Sequence, residues 1–168
     1  MKLVLVAAIF SLLVANPATE VKLCRSIYFS EPSEQKALLL QKSALEIIGN
    51  EPLKMAYLGT AESMLAEYGF NPFSKLSLFQ RGTEMIEEAI VLAPQNAEIR
   101  VLRLGIQLNA PGFLMYNSDK EADIEVIIEA LTNNVFDEDK NYLEKVITYL
   151  LDNAPLSEKQ QKQISALR

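Results

Sequence analysis

The chain has 168 residues, 22 acidic and 16 basic, for a formal net charge of −6, with one cysteine and no histidine or tryptophan. An acidic balance argues against a nucleic-acid partner, because affinity for phosphate backbones comes largely from lysine and arginine. Without histidine there are no histidine metal ligands and no Ser-His or Cys-His nucleophile, and one cysteine excludes a disulfide framework within the chain.

Lys2 precedes the run Leu3 to Ala15, apolar but for Ser11, and Asn16-Pro17 follows. This is the pattern of a secretory leader, and the run is shorter than the ~20 apolar residues that a spanning helix needs. Residues 1–18 are therefore expected to be a signal peptide cleaved between Ala15 and Thr19, and 19–168 one exported all-α domain with no stable membrane span. Its address is then periplasmic or extracellular. Cys24 fits a lipid anchor poorly, because Lys22 and Leu23 stand before it where small residues belong. It reads as a partly buried free thiol.

From Ser30 onward, helix start and stop signals recur and apolar residues keep intervals of three and four. The first helix is expected to open near Glu31-Pro32, to carry Ala37, Leu40, Ala44, Ile47 and Ile48 on one face, and to stop at Gly49-Asn50. The second opens at Pro52 and runs through Leu53, Tyr57, Ala61, Met64 and Tyr68 to Gly69. Asn71-Pro72 opens a long third helix with Phe73, Leu76, Phe79, Met85, Ile86, Ala89 and Ile90 inward, closed by Ala93-Pro94. Asn96 caps the fourth, which Asn109-Ala110-Pro111 ends. Capping boxes at Ser118/Glu121 and Ser157/Gln160 mark the fifth and seventh. Between them a sixth spans about Glu138 to Asp152, with Tyr142, Leu143, Val146, Ile147 and Leu150 as its core stripe. Hairpin dipeptides and sustained apolar-polar alternation are missing, so the fold class is all-α, with about seven helices.

The fourth helix is apolar nearly all round except for Arg100, Arg103 and Gln107, which share about 60° of arc. A buried guanidinium must reach water, a carboxylate or a bound anion. Three readings stay open: internal pairing with Glu87, Glu88, Asp119 or Asp123, a ligand anion, or a solvent-exposed seam. The loop Pro111 to Asn117 holds Phe113, Leu114, Met115 and Tyr116. It either tucks onto the core or forms the lip of a site beside the arginines.

Gly82, Ile86, Ala89 and Pro94 keep the intervals of small, bulky, alanine and closing proline that mark the second helix of a tetratricopeptide repeat (TPR), which this stretch resembles. Val101, Leu104-Gly105 and Leu108 are similar to the family's first-helix pattern, and Leu58-Gly59 repeats the Leu-Gly pair. The resemblance covers about residues 53–110. It implies a TPR-like, right-handed array of antiparallel helix pairs with divergent C-terminal capping helices, and a groove lined by Ile99, Leu102, Ile106 and Asn109. Three of those four are apolar, so either a helix covers that face or its ligand is apolar. The stretch Ala89 to Tyr116 is also similar to small uncharacterised secreted proteins of Bacteroidota, which implies an exported address.

No Gly-rich phosphate loop is present. Asp137, Asp139 and Asn141 are spaced like the start of a calcium loop, but Tyr142 and Thr148 stand where glycine and glutamate are needed, so the segment reads as a charged helix start. The carboxylate pairs Glu87-Glu88 and Asp119 with Asp123 read as helix surface or partners for the arginines. The expectation is an exported interaction or scaffold module that binds a protein or peptide partner without catalysis, cofactor or metal. The alternative is a binding protein for a small anionic or amphipathic ligand near Arg100, Arg103 and the 111–117 loop. Candidate binding residues are Arg100, Arg103, Gln107, Asn109, Phe113 and Tyr116.

Overall fold

The computed structural model describes residues 17–136 and 138–168, so the expected leader lies outside the described residues up to position 16. The described residues are all-helical, without a strand, and form eight α-helices rather than seven. They are α1 (Pro17–Tyr28), α2 (Glu34–Leu45), α3 (Glu51–Leu65), α4 (Pro72–Leu92), α5 (Ala97–Asn109), α6 (Lys120–Thr132), α7 (Lys140–Asn153) and α8 (Glu158–Ser165). The additional helix is α1, whose Val21, Cys24 and Ile27 recur every three residues. The expected helices begin only at Ser30, so this three-residue period, in the short stretch between the leader and Ser30, is not among them.

Most helix starts follow from local chemistry. Ser33, Asn50, Asp139 and Ser157 each accept a backbone N–H of the first turn, and Asn96 accepts two. Asn71 with Ser74, and Ser157 with Gln160, close reciprocal capping boxes. The box expected at Ser118/Glu121 does not form. Helix α6 starts at Lys120, and its N-cap Asp119 gives no side-chain cap. A long-range bond anchors that end instead, with the Asp119 backbone N–H donating to Gln107 Oε1 at 3.1 Å.

Two apolar clusters share α5. The first joins Cys24 and Ile27 of α1 to Leu40, Ala44, Tyr57, Ile86, Ile99 and Leu102. The second joins Ala97, Val101 and Leu104 to Ile124, Ile127, Tyr142, Val146, Leu150 and Ile164, with Phe29 packed against it. This is why α5 is apolar nearly all round. Helix α3 packs most extensively on α4, and the crossing is at Gly59 and Gly82. A Cβ at Gly59 would collide with the Gly82 carbonyl oxygen, and one at Gly82 with the Gly59 carbonyl oxygen and the Ser63 hydroxyl. Small residues are needed there because two backbones meet.

Three apolar residues expected to face inward do not. Ile48 lies beyond the end of α2 and is exposed, as are Phe73 and Leu76 at the start of α4. Helix α4 has 21 residues against 13 in α5. It outruns α5 by about 12 Å at 1.5 Å per residue, so its first turns have less to pack against.

Candidate functional site

The strip on α5 turns inward onto one carboxylate. Asp123, on the first turns of α6, is fully buried. It accepts from Arg103 Nε at 2.8 Å, Arg103 Nη2 at 2.6 Å, Arg100 Nη1 at 3.0 Å and Gln107 Nε2 at 2.8 Å. Four donors on two oxygens satisfy the carboxylate's acceptor capacity. The remaining donors find partners too. Arg103 Nη1 donates to Glu87 on α4 at 2.8 Å, while Arg100 Nε and Nη2 donate to the Pro94 carbonyl oxygen at 3.1 and 2.7 Å.

Of the four carboxylates expected to serve the arginines, Asp123 and Glu87 do so. Glu88 sits 100° further round α4 and is exposed, and the Asp119 side chain accepts from Ser118 Oγ. Two arginines and two carboxylates leave the cluster with no net charge. The arrangement braces α4, α5 and α6 by charge-assisted hydrogen bonds and leaves neither guanidinium as a spare cation.

Tyr116 joins the same network. Its hydroxyl donates to Glu87 Oε1 at 2.5 Å, and its ring meets Phe79 edge-on at 5.8 Å. Burial, and then the bond to Glu87, push its pKa up. The 111–117 loop therefore tucks back through Tyr116 and Leu114, while Phe113 and Met115 stand exposed, with Met115 in the left-handed region at φ 54°. The candidate residues accordingly divide. Arg100, Arg103, Gln107 and Tyr116 converge, whereas Asn109 lies at the end of α5, donating to the Gly105 carbonyl oxygen and reaching Tyr149 at 3.4 Å, and Phe113 lies on the surface.

A second polar cluster, not anticipated from the sequence, sits on the opposite face of α5. Glu98 is buried and accepts from Arg25 Nε at 2.9 Å and Nη2 at 2.5 Å, and from the Tyr57 hydroxyl at 2.5 Å. Arg25 Nη1 also donates to Asp139, the N-cap of α7, at 3.1 Å, and its Cζ lies 4.4 Å from the centre of the Tyr142 ring. A glutamate in a helix's first turn ordinarily reads as a solvated partner of the dipole. The signal to find it was the line Glu98, Leu102, Gly105, Asn109. Gly105, the only glycine of α5, marks where another helix crosses: a Cβ there would collide with the Tyr28 hydroxyl of α1.

The groove line expected from the TPR resemblance is covered rather than open. Ile99 and Leu102 are fully buried in the cluster that holds Cys24 and Ile27 of α1, and Ile106 packs against it. Among the described residues no group of three potential metal ligands forms, and no helix is long and apolar enough to cross a membrane. Comparison with known protein families, curated proteins and solved structures finds no match to this chain.

Proposed function

We propose that the protein is an exported helical interaction module, TPR-like in arrangement and without catalytic activity, whose partner is a protein or peptide. The observation that carries this reading is the mismatch between its interior and its surface. Inside, the arginines and carboxylates are paired with one another. Outside, large apolar side chains stand in water: Phe70 is 98% exposed and Phe73 85%, both around the start of α4, and Phe113 and Met115 are each 83% exposed. Exposed apolar surface of this kind marks partner contacts.

The stretch 68–83, which carries Phe70 and Phe73, contains Lys75 and Arg81 and no acidic residue, in a chain whose net charge is −6. Arg81 is paired with Glu62 of α3 at 2.8 Å, so the stretch adds the charge of Lys75 alone, and the partner surface it favours is chiefly apolar. The TPR-like arrangement draws support from Gly59 and Gly82, small positions of the resemblance that meet where α3 and α4 cross. The small-anion alternative loses its footing, because Arg100 and Arg103 already have their counter-charges within the protein.

The test is capture from the native envelope fraction by wild type and by the double variant Phe70→Ser, Phe73→Ser. A partner retained by wild type and lost by the variant, at equal thermal stability, supports the reading. Identical capture by both would overturn it. N-terminal sequencing of the same material checks the address, and residues 1–15 still attached would sink it.

A further inference from the structure

Helix α2 turns mostly small residues inward and leucines outward. Its buried arc is Ala37, Leu40, Ser43 and Ala44, whereas Leu38, Leu39 and Leu45 lie on the opposite arc, each about half exposed. Ile48, just past the helix end, is exposed as well. Within the chain α2 packs chiefly on α3 and α1, which leaves the leucine arc in water. An outermost helix ordinarily presents a polar face to solvent, so an apolar outer arc calls for a second layer.

We propose that this outer arc is a contact surface between two copies of the chain, which pair their α2 helices antiparallel about a two-fold axis at the level of Ala44. The contact goes beyond the reading of the Phe70 patch, since it lies on another helix and names a different partner.

Two observations specify a second copy. The first is spacing: Leu38 and Leu45 stand seven residues apart and about 20° out of line, the interval at which the apolar stripe of one helix meets that of another. The second is charge. Lys42 lies on the same arc about 40° from Leu38, and Glu46 follows one turn later, about 40° further round. Among the described residues neither takes part in an ion pair. In an antiparallel pair centred on the level of Ala44, Lys42 of each copy stands level with Glu46 of the other, so the two-fold axis forms the same ion pair twice. Leu45 meets its own counterpart beside the axis, and the lysine stems cover the leucines that flank them. The face is thus complementary to itself in both apolar and charged residues.

The contact is small. Three half-exposed leucines fall short of the ~800 Å² per partner of a standard interface, and two chains of net charge −6 repel at long range. Association is therefore weak, with a dissociation constant on the order of 10 μM. Sedimentation equilibrium of the protein purified from the envelope fraction reads it, and the mass is expected to rise from one copy to two as concentration passes through about 10 μM. The double variant Leu38→Gln, Leu45→Gln, changed only at exposed positions, should stay at one copy with its melting temperature little altered. Lys42→Glu alone and Glu46→Lys alone should each weaken association about tenfold, because like charges then face one another, whereas a mixture of the two variants should associate at least as tightly as wild type.

A mass of one copy for wild type at about 300 μM, an association that survives the leucine changes, or a mixture of charge variants that behaves like either alone would overturn the proposal. Association abolished by Phe70→Ser with Phe73→Ser would give the contact to that patch and overturn it as well. Loss of self-association with Phe70-dependent capture intact refutes the α2 contact alone, and the converse result refutes the patch alone.

Discussion

Tyr57 and Tyr142 are both buried beside the Arg25–Glu98 pair, but their hydroxyls are in opposite positions. The Tyr57 hydroxyl donates to Glu98, whereas that of Tyr142 has no hydrogen-bond partner, although its ring lies under Arg25. Removing a donor from a buried carboxylate costs about 1.5–3 kcal/mol, while removing an orphaned hydroxyl costs nothing or gains. Tyr57→Phe is therefore expected to lower stability by about 2 kcal/mol, and Tyr142→Phe to leave it within about 0.5 kcal/mol or raise it. Urea denaturation of the two variants beside wild type checks the contrast, and equal losses would contradict it. At this scale the sequence exposed half of the polar interior. Arg100, Arg103 and Gln107 stood out because they interrupt an apolar helix on one line. Glu98 did not, because a first-turn glutamate looks solvated, and its partner Arg25 lies in the short stretch between the leader and the first expected helix.

Helix positions were legible where the signal is local. Asn71, Asn96 and Ser157 cap as their sequence context predicts, because each satisfies donors within its own first turn. Ser118 failed because α6 is anchored by Gln107, twelve residues from Asp119, and no local pattern encodes such a bond. The outward turn of Phe73 and Leu76 was equally hidden. Their spacing is that of an inward stripe, and no local pattern marks that these first turns of α4 stand exposed in the folded chain. The crossing of α3 and α4 was better signalled, since Gly59 and Gly82 sit inside helices where glycine costs stability unless another backbone comes close. Gly59→Ala is expected to push α3 off α4 and to cost about 1–3 kcal/mol, read as a lower denaturation midpoint. A neutral or stabilising effect there, the usual result of Gly→Ala in an open helix, would mean that the close approach is absent.

Across the whole molecule, α5 is the hub. One face reaches α1 and α7 through Glu98 and Arg25, and the opposite face reaches α4 and α6 through Arg103, Arg100 and Asp123. Tyr28, Tyr57, Tyr116, Tyr142 and Tyr149 surround these clusters, and burial raises the pKa of each. The sign of the linkage follows. The unfolded chain loses its phenolic protons near pH 10 while the native state keeps them, so stability is full below about pH 10 and falls as pH rises toward the folded values. Denaturation midpoints should show no tyrosine-linked loss up to about pH 10 and drop steeply above it, and phenolate absorbance from the buried rings should appear only with unfolding.

The central claim is that the polar strip of α5 binds the protein to itself and not to a ligand. Melting wild type and the double variant Arg100→Ala, Arg103→Ala, each with and without added phosphate, tests it most directly. The double change strands Asp123 in the interior, so the account predicts a loss of roughly 3–5 kcal/mol that phosphate neither causes nor relieves. A variant as stable as wild type that has lost a phosphate-dependent rise in melting temperature would contradict the account and make Arg100 and Arg103 an anion site.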